Sequence, residues 1–123
     1  MAGEIVRVLK PGGLAWCVAP FAHPVHADPS DYFRYTVEGL KTLFKECDFI
    51  EAGPERGPFS AIAHFAERAA EAVFPGKVGF IARWITAWAF HPFKYLDPWI
   101  VARQPDSAAS FFLLARKRSL NAN

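Results

Sequence analysis

The stretch EIVRVLKPGGLAWCVAPF, residues 4 to 21, decides the fold because it predicts a helix, a tight turn and a strand in direct succession. Apolar residues recur with a 3.6-residue period between Glu4 and Lys10, which is typical of an amphipathic helix. Pro11 ends this helix, and the glycine pair after it tolerates the positive φ of a tight turn. The apolar run of residues 14–19 then predicts a strand buried on both faces, as in a parallel sheet.

Three further segments carry helix or strand patterns. Thr36 is a suitable N-cap for a helix that spans residues 37 to about 47. Residues 49–52 predict a weak strand, and residues 110–117 predict a strand that ends in charged side chains. Together with the first segment, they predict the α/β fold class, with residues 1–123 forming a single domain.

Length, charge and cysteine usage limit the class of protein. A chain of 123 residues is long enough for one domain with a real core. The formal net charge is +2, and the single basic run, residues 116–118, is typical of a solvated strand end, so we expect no nucleic-acid partner. Cys17 and Cys47 lie in apolar segments, as buried thiols do in a reducing compartment. With no secretory signal pattern visible, we expect a cytoplasmic protein without a disulfide.

The loop of residues 20–36 carries the side chains with the richest chemistry. A loop that leaves the carboxyl end of a strand lies where open α/β sheets bind ligands. In this loop His26 or His23 is a candidate general base with Asp31 to orient it, and Arg34 is a candidate clamp for an acidic substrate. In the alternative interpretation, Asp31 accepts backbone hydrogen bonds, Arg34 pairs with a nearby aspartate, and both only stabilise the loop. Further candidates for substrate contact are Phe21 and Tyr32.

No motif indicates a metal site or a cofactor site. The side chains in this loop that offer nitrogen and oxygen ligands are His23, His26, Asp28 and Asp31. They match no ligand motif of known spacing, so we expect no metal. None of the eight glycines forms a Gly-x-Gly pair, so the sequence contains no glycine-rich turn for binding a cofactor.

Residues 58–108 predict an aromatic, helical insertion. One amphipathic helix ends near Val73, a Pro-Gly pair breaks the chain, and a second helix spans residues 78 to about 90. The second helix places Phe80, Trp84 and Trp88 at i, i+4 and i+8, and both tryptophans are candidate substrate contacts. Three interpretations stay open for this aromatic stripe. It packs on the sheet or on the preceding helix, it forms a lid over an acceptor pocket, or it docks on a membrane surface.

The Leu-Lys-Pro-Gly-Gly turn of residues 9–13 and the Pro-Phe pair of residues 20–21 resemble the C-terminal part of a class I S-adenosylmethionine-dependent methyltransferase. The likeness covers residues 4 to about 56 and 109–118, and the loop before Thr36 is similar to a type 11-like, uncharacterised bacterial subgroup. The resemblance implies a partial Rossmann-like fold of C-terminal strands and helices, in which the last strand lies antiparallel between its two neighbours. It also implies that the strand of residues 14–19 lacks a neighbour on its other side.

In function, the resemblance implies the acceptor-side portion of such an enzyme, inactive alone. S-adenosylmethionine is then expected to bind only when a missing N-terminal half completes the site. The partners implied are a second copy of the chain or a polypeptide that supplies that half. The alternative from another class is a non-catalytic module, stand-alone or truncated, that acts through self-association or by binding a partner or a membrane surface.

Overall fold

The computed structural model describes residues 2–27 and 30–119, which form a three-stranded sheet with helices, a mixed α/β architecture. The helices are α1 (Ala2–Val8), α2 (Val37–Leu43), α3 (Pro58–Val73), α4 (Gly76–Phe90) and α5 (Asp97–Val101), and 3-10 helices lie at His91–Leu96 and Pro105–Ser107. The strands are β1 (Leu14–Pro20), β2 (Cys47–Arg56) and β3 (Ser110–Lys117).

β3 lies between β1 and β2 and is antiparallel to both, so β1 and β2 run parallel to each other. Leu113 of β3 pairs with Cys17 of β1 and with Ala52 of β2. The predicted position of the last strand is therefore confirmed. The carboxyl ends of β1 and β2 lie at the same edge of the sheet, and the outer side of β1 has no strand partner among the described residues.

The helix, turn and strand predicted for the first stretch are confirmed. α1 buries Val6, and Gly12 takes a φ of 76° in the turn that follows. The N–H of Gly12 donates to the carbonyl of Lys117 at 2.9 Å, and the N–H of Lys117 donates to the carbonyl of Gly13 at 2.9 Å. These two hydrogen bonds fix the turn to the end of β3, and Val6 joins the core.

Only one face of the sheet is covered by the described helices. On that face Leu113 packs with Phe44, and each is 1% exposed. On the other face Leu14, Trp16 and Val18 are 53%, 61% and 44% exposed. The prediction that β1 is buried on both faces is wrong. Successive residues of β1 point to opposite faces, and α1 and α2 cover only one of them.

The boundary between α2 and β2 also differs from the prediction. Thr36 caps α2 as predicted, through its side-chain hydroxyl. The helix ends at Leu43 rather than near residue 47, because Cys47 enters the core as the first residue of β2. β2 then pairs with β3 along residues 47–56, past the short strand predicted and through Pro54. Pairing with β3 thus overrides the local break signal. Both cysteines are free thiols.

The two helices predicted for the insertion are present and pack on each other. Gly79 is buried at their contact, where an added Cβ would overlap the carbonyl oxygen of Phe74. At the start of α3, the buried carboxylate of Asp97 accepts hydrogen bonds from the N–H groups of Phe59 and Ser60 at 2.9 and 3.0 Å. No helix within residues 2–27 and 30–119 combines the length and the apolar character needed to cross a membrane.

Candidate functional site

Residues from all three strands meet at one edge of the sheet. The carboxyl ends of β1 and β2 lie there at Pro20 and Arg56, which both pair with Ser110 at the start of β3. The N–H of Ala109 donates to the carbonyl of Arg56 at 2.7 Å, and the N–H of Phe21 donates to the carbonyl of Ala109 at 2.9 Å. Open α/β sheets bind ligands outside the carboxyl ends of their parallel strands, so this edge is the candidate site.

Two histidine rings contact each other at this edge. The ring centroids of His23 and His64 lie 4.8 Å apart, and the ring planes are tilted by 53°. Nδ1 of His23 lies 2.9 Å from the carbonyl oxygen of Pro24. Because a carbonyl can only accept, Nδ1 carries the proton, and Nε2 of the neutral ring keeps its lone pair. His23 is thus held in the tautomer whose Nε2 can act as a base.

His64 lies on α3 and is absent from the residues predicted from the sequence. Burial lowers the pKa of His64 below its ordinary value of 6.5, and the charges of His23 and Lys94 lower it further. The His64 ring is therefore uncharged near neutral pH. Its only sequence signal is a histidine inside the apolar segment 61–66, a pattern that a purely structural histidine shows equally.

A cavity of about 360 Å³ lies against the histidine pair. Glu55 forms part of its polar wall, where the carboxylate accepts a hydrogen bond from the Ser110 hydroxyl at 2.6 Å and one from Nε of Arg56 at 3.2 Å. Val18 and Pro20 form an apolar wall. The cavity is large enough for a small organic molecule and offers it both apolar and polar contacts.

A second cavity, of about 320 Å³, is also lined by His23 and otherwise mainly by the loop. The predicted residues that line it are Phe21, His23, Asp31, Tyr32 and Arg34. Phe65 of α3, which the sequence pattern does not single out, contributes to the same cavity. The structure therefore brings five of the predicted loop residues together at the carboxyl end of β1.

Asp31 and Arg34 bind each other. The guanidinium of Arg34 donates to both carboxylate oxygens of Asp31, and at 3.4 Å to the carbonyl oxygens of His23 and Pro24. Arg34 and the backbone N–H of His26 lower the pKa of the Asp31 carboxyl to about 2. Because the hydrogen bond from His26 comes from its backbone, these contacts favour the interpretation in which Asp31 and Arg34 stabilise the loop.

The other predicted residues lie apart from this cluster. The side chain of His26 is exposed, and Asp28 lies outside the described residues. Trp84 and Trp88 line a separate cavity of about 280 Å³, which shares no residue with the two cavities beside His23. The structure therefore places these tryptophans away from the loop.

Several backbone N–H groups at this edge already donate hydrogen bonds within the chain. The N–H groups of Phe21 and Ala22 both donate to the carbonyl of Ala109, at 2.9 and 3.0 Å. The N-terminus of α3, which follows β2, is already capped by the Asp97 carboxylate. These four N–H groups, of Phe21, Ala22, Phe59 and Ser60, are therefore already occupied by acceptors of the chain itself.

Within the part of the chain that the structure describes, no group of three or more His, Cys, Asp or Glu residues is placed to hold a metal ion. No protein-family model, no curated protein and no solved structure matches the chain.

Proposed function

We propose that the chain forms the acceptor-side wall of an S-adenosylmethionine-dependent methyl-transfer site. One observation carries this proposal: His23 and His64 converge at the carboxyl ends of two parallel strands, beside a cavity sized for a small molecule. The strand order also supports it, because an antiparallel β3 between β1 and β2 is what the resemblance implies for the C-terminal part of that fold.

In this role the chain orients an acceptor and removes its proton. An acceptor hydroxyl or amine donates its proton to Nε2 of His23, which is available because Nδ1 is bonded to a backbone carbonyl. The neutral ring of His64 contacts His23 without placing a second positive charge beside it. We assign the base to His23 rather than to His26 because the His23 ring lines the cavity, whereas the His26 side chain is exposed.

The cofactor is supplied by other residues in this proposal. The backbone at the site edge supports this part of the proposal, because the N–H groups of Phe21 and Ala22 already donate to Ala109, and those of Phe59 and Ser60 to Asp97. A longer chain or a partner polypeptide then provides the cofactor-binding half. No step of methyl transfer beyond the removal of the acceptor proton is assigned to this chain.

The test uses the 123-residue chain, with its histidine ring resonances followed by NMR. We expect small phenols or amines to shift the His23 and His64 resonances in a saturable way. The same additions to a His23→Gln variant should leave His64 nearly unaffected. If no acceptor of either class shifts the His23 and His64 resonances, the acceptor-side role is wrong.

Calorimetry tests the cofactor part of the proposal separately from the acceptor part. The isolated chain should give no binding heat with S-adenosylmethionine or its demethylated product, because the glycine-rich turn that would bind them is absent from its sequence. A dissociation constant in the low micromolar range would show that this chain binds the cofactor by itself.

A second candidate function is a non-catalytic module that acts through self-association. A cavity of about 540 Å³ is lined by four successive β1 residues, 17–20, together with residues of α1 and α2. Because successive residues belong to opposite faces, this cavity lies at the side of the strand, where β1 has no strand partner among the described residues and only the loop of residues 30–35 approaches. An unpaired strand edge is a template for pairing with another chain. Sedimentation velocity at micromolar concentration should then detect a dimer, and a clean monomer would contradict this candidate.

A further inference from the structure

A continuous ridge of rings runs along α4 and the 3-10 helix that follows it. The ring centroids of Phe80 and Trp84 lie 6.2 Å apart, and Trp84, Trp88 and His91 line one cavity. The rings of His91 and Tyr95 then meet edge to face at 5.7 Å. We call these five residues, Phe80, Trp84, Trp88, His91 and Tyr95, the aromatic ridge.

The aromatic ridge is open to solvent. Phe80 and Trp84 are 55% and 56% exposed, and Trp88 and Tyr95 are 79% and 76% exposed. The interpretation in which the stripe packs on the sheet or on α3 is therefore wrong for these side chains, since α4 contacts α3 through residues such as Gly79. The lid interpretation also receives no support, because the ridge cavity is separate from the loop cavities.

The charge around the aromatic ridge has one sign. Residues 72–96 contain no Asp or Glu, whereas they contain Lys77, Arg83 and Lys94. Arg83 lies 3.6 Å from Glu71 of α3, so its charge is partly compensated, and Lys94 lines the cavity beside Asp97. Exposed Lys77 is then the main positive charge next to the ridge. Two copies of such a surface would bring like charges together, whereas an anionic surface would complement them.

We propose that the aromatic ridge docks on the surface of an anionic lipid bilayer, with α4 lying in the plane of the interface. Tryptophan and tyrosine are suited to this position, because their rings enter the boundary of the acyl chains while the indole N–H and phenol O–H groups stay at the level of the headgroups. Lys77, which is exposed and lies three residues before Phe80 on α4, then faces the lipid phosphates. With 15 residues, α4 is too short to span a bilayer, so it lies on the surface rather than across it.

This proposal is independent of the proposed function, because it involves neither His23 nor the cavities beside it. The test is co-sedimentation of the 123-residue chain with vesicles of phosphatidylcholine alone and of phosphatidylcholine mixed equally with phosphatidylglycerol. We expect binding to the mixed vesicles to be at least about tenfold tighter, to weaken as salt is raised, and to shift tryptophan emission to shorter wavelength. Equal binding to both vesicles, or none to either, would overturn the proposal.

Variants assign the binding to the aromatic ridge. The double variant Trp84→Ala/Trp88→Ala should lose at least about tenfold in vesicle affinity, and Lys77→Glu should lose about fivefold on mixed vesicles. Trp16→Ala is the matched control, because Trp16 is 61% exposed but lies on the open face of the sheet. If Trp16→Ala weakens binding as much as the double variant does, the ridge is not the docking surface. A dimer that disappears in the double variant, without vesicle binding by the wild type, would assign the ridge to a second copy instead.

Discussion

The sheet and the helical pair α3–α4 are stabilised in different ways. The covered face of the sheet buries large apolar side chains, among them Leu113, Leu40 and Phe44, each 1% exposed. The helical pair buries small residues, Ala61 and Ala63, and leaves most of its aromatic side chains exposed, namely Phe65, Phe80, Trp84 and Trp88. The sheet therefore contains its own core, whereas the helical pair depends on a close helix contact and on a polar anchor at its base, and it leaves apolar surface for another partner.

The largest expected effect on the free energy of unfolding comes from truncating one large side chain in each of the two regions. Leu113→Ala should lower the free energy of unfolding by about 3 kcal/mol, because it opens a cavity under β3. Trp88→Ala, which removes a larger side chain, should change it by no more than about 0.5 kcal/mol, because Trp88 is 79% exposed. Urea unfolding measures both. Equal losses in the two variants would show that the ridge is buried in solution and that the contrast between the regions is wrong.

A smaller effect is expected at the polar anchor by which Asp97 of α5 holds the start of α3. Asp97→Ala removes the carboxylate that accepts from Phe59 and Ser60, and should cost about 2 kcal/mol and speed amide exchange in the first turn of α3. Gly57→Ala should cost about 1–2 kcal/mol, because its Cβ would lie 2.6 Å from Oδ1 of Asp97. Asp106→Ala is the control, since Asp106 is an exposed aspartate in a short 3-10 helix.

The double variant tests whether these two residues act on each other. In an Asp97→Gly background the added Gly57 Cβ meets neither the carboxylate nor the Cβ of residue 97, which would lie 2.7 Å away, so Gly57→Ala should cost much less there than in the wild type. If the losses of unfolding free energy in the two single variants add up to the loss in the double variant, the cost of Gly57→Ala comes from the backbone conformation at residue 57 and not from its contact with Asp97.

The same contrast explains how much could be predicted from the sequence. The first helix, turn and strand are predicted correctly because the local signals, Pro11 and the two glycines, agree with the tertiary structure. The start of β2 is predicted wrongly because its pairing with β3, distant in sequence, decides where the strand begins at Cys47. A local pattern contains no information about such a partner.

The predictions for the candidate site divide in the same way, into residues that are close in sequence and pairs that are distant in sequence. The loop residues are predicted to gather because one loop carries all of them, from Phe21 to Arg34. His64 and Asp97 are not predicted as part of the site or of its support, because each acts on a residue far away in the sequence, His23 and Ser60 respectively. Only the folded arrangement of α3 beside the sheet edge brings these pairs together.

A further expected effect, smaller than that at Asp97, is the pH dependence that His64 gives to the free energy of unfolding. Its pKa is lowered in the folded protein, mainly by burial, so the unfolded chain binds a proton more readily than the folded one. The stability contributed by neutral His64 is therefore complete above its ordinary pKa of 6.5 and is lost as the pH falls through the lower, folded value. His64→Gln should reduce this slope in urea unfolding, whereas His91→Gln, at an exposed position, should leave it unchanged. An unchanged slope in His64→Gln would show that the ring is not buried in solution.

The smallest effect on stability is expected in the loop. There Arg34→Lys keeps the positive charge and tests the planar, two-oxygen contact between Arg34 and Asp31. A lysine keeps the positive charge but cannot donate to both oxygens of Asp31 and to the carbonyl of His23 from one planar group. The pKa of Asp31, lowered to about 2 by Arg34 and by the N–H of His26, should rise toward its ordinary value of 3.8 when NMR follows the carboxyl carbon. The contribution of ionised Asp31 to the free energy of unfolding is present above pH 3.8 and is lost as the pH falls through about 2. In Arg34→Lys this contribution should be lost at a higher pH.

Arg7→Lys is the matched control for this last variant, because Arg7 also pairs with a carboxylate three residues away but lies on α1, far from the loop in sequence. It should leave the pKa of Asp31 unchanged. Global stability should hardly change in either variant, because Arg34 pairs locally within a partly exposed loop rather than in the core of the sheet. If Arg34→Lys instead unfolds the chain as strongly as Leu113→Ala does, the loop belongs to the stabilising core, and the comparison between the two regions has to include it as a third.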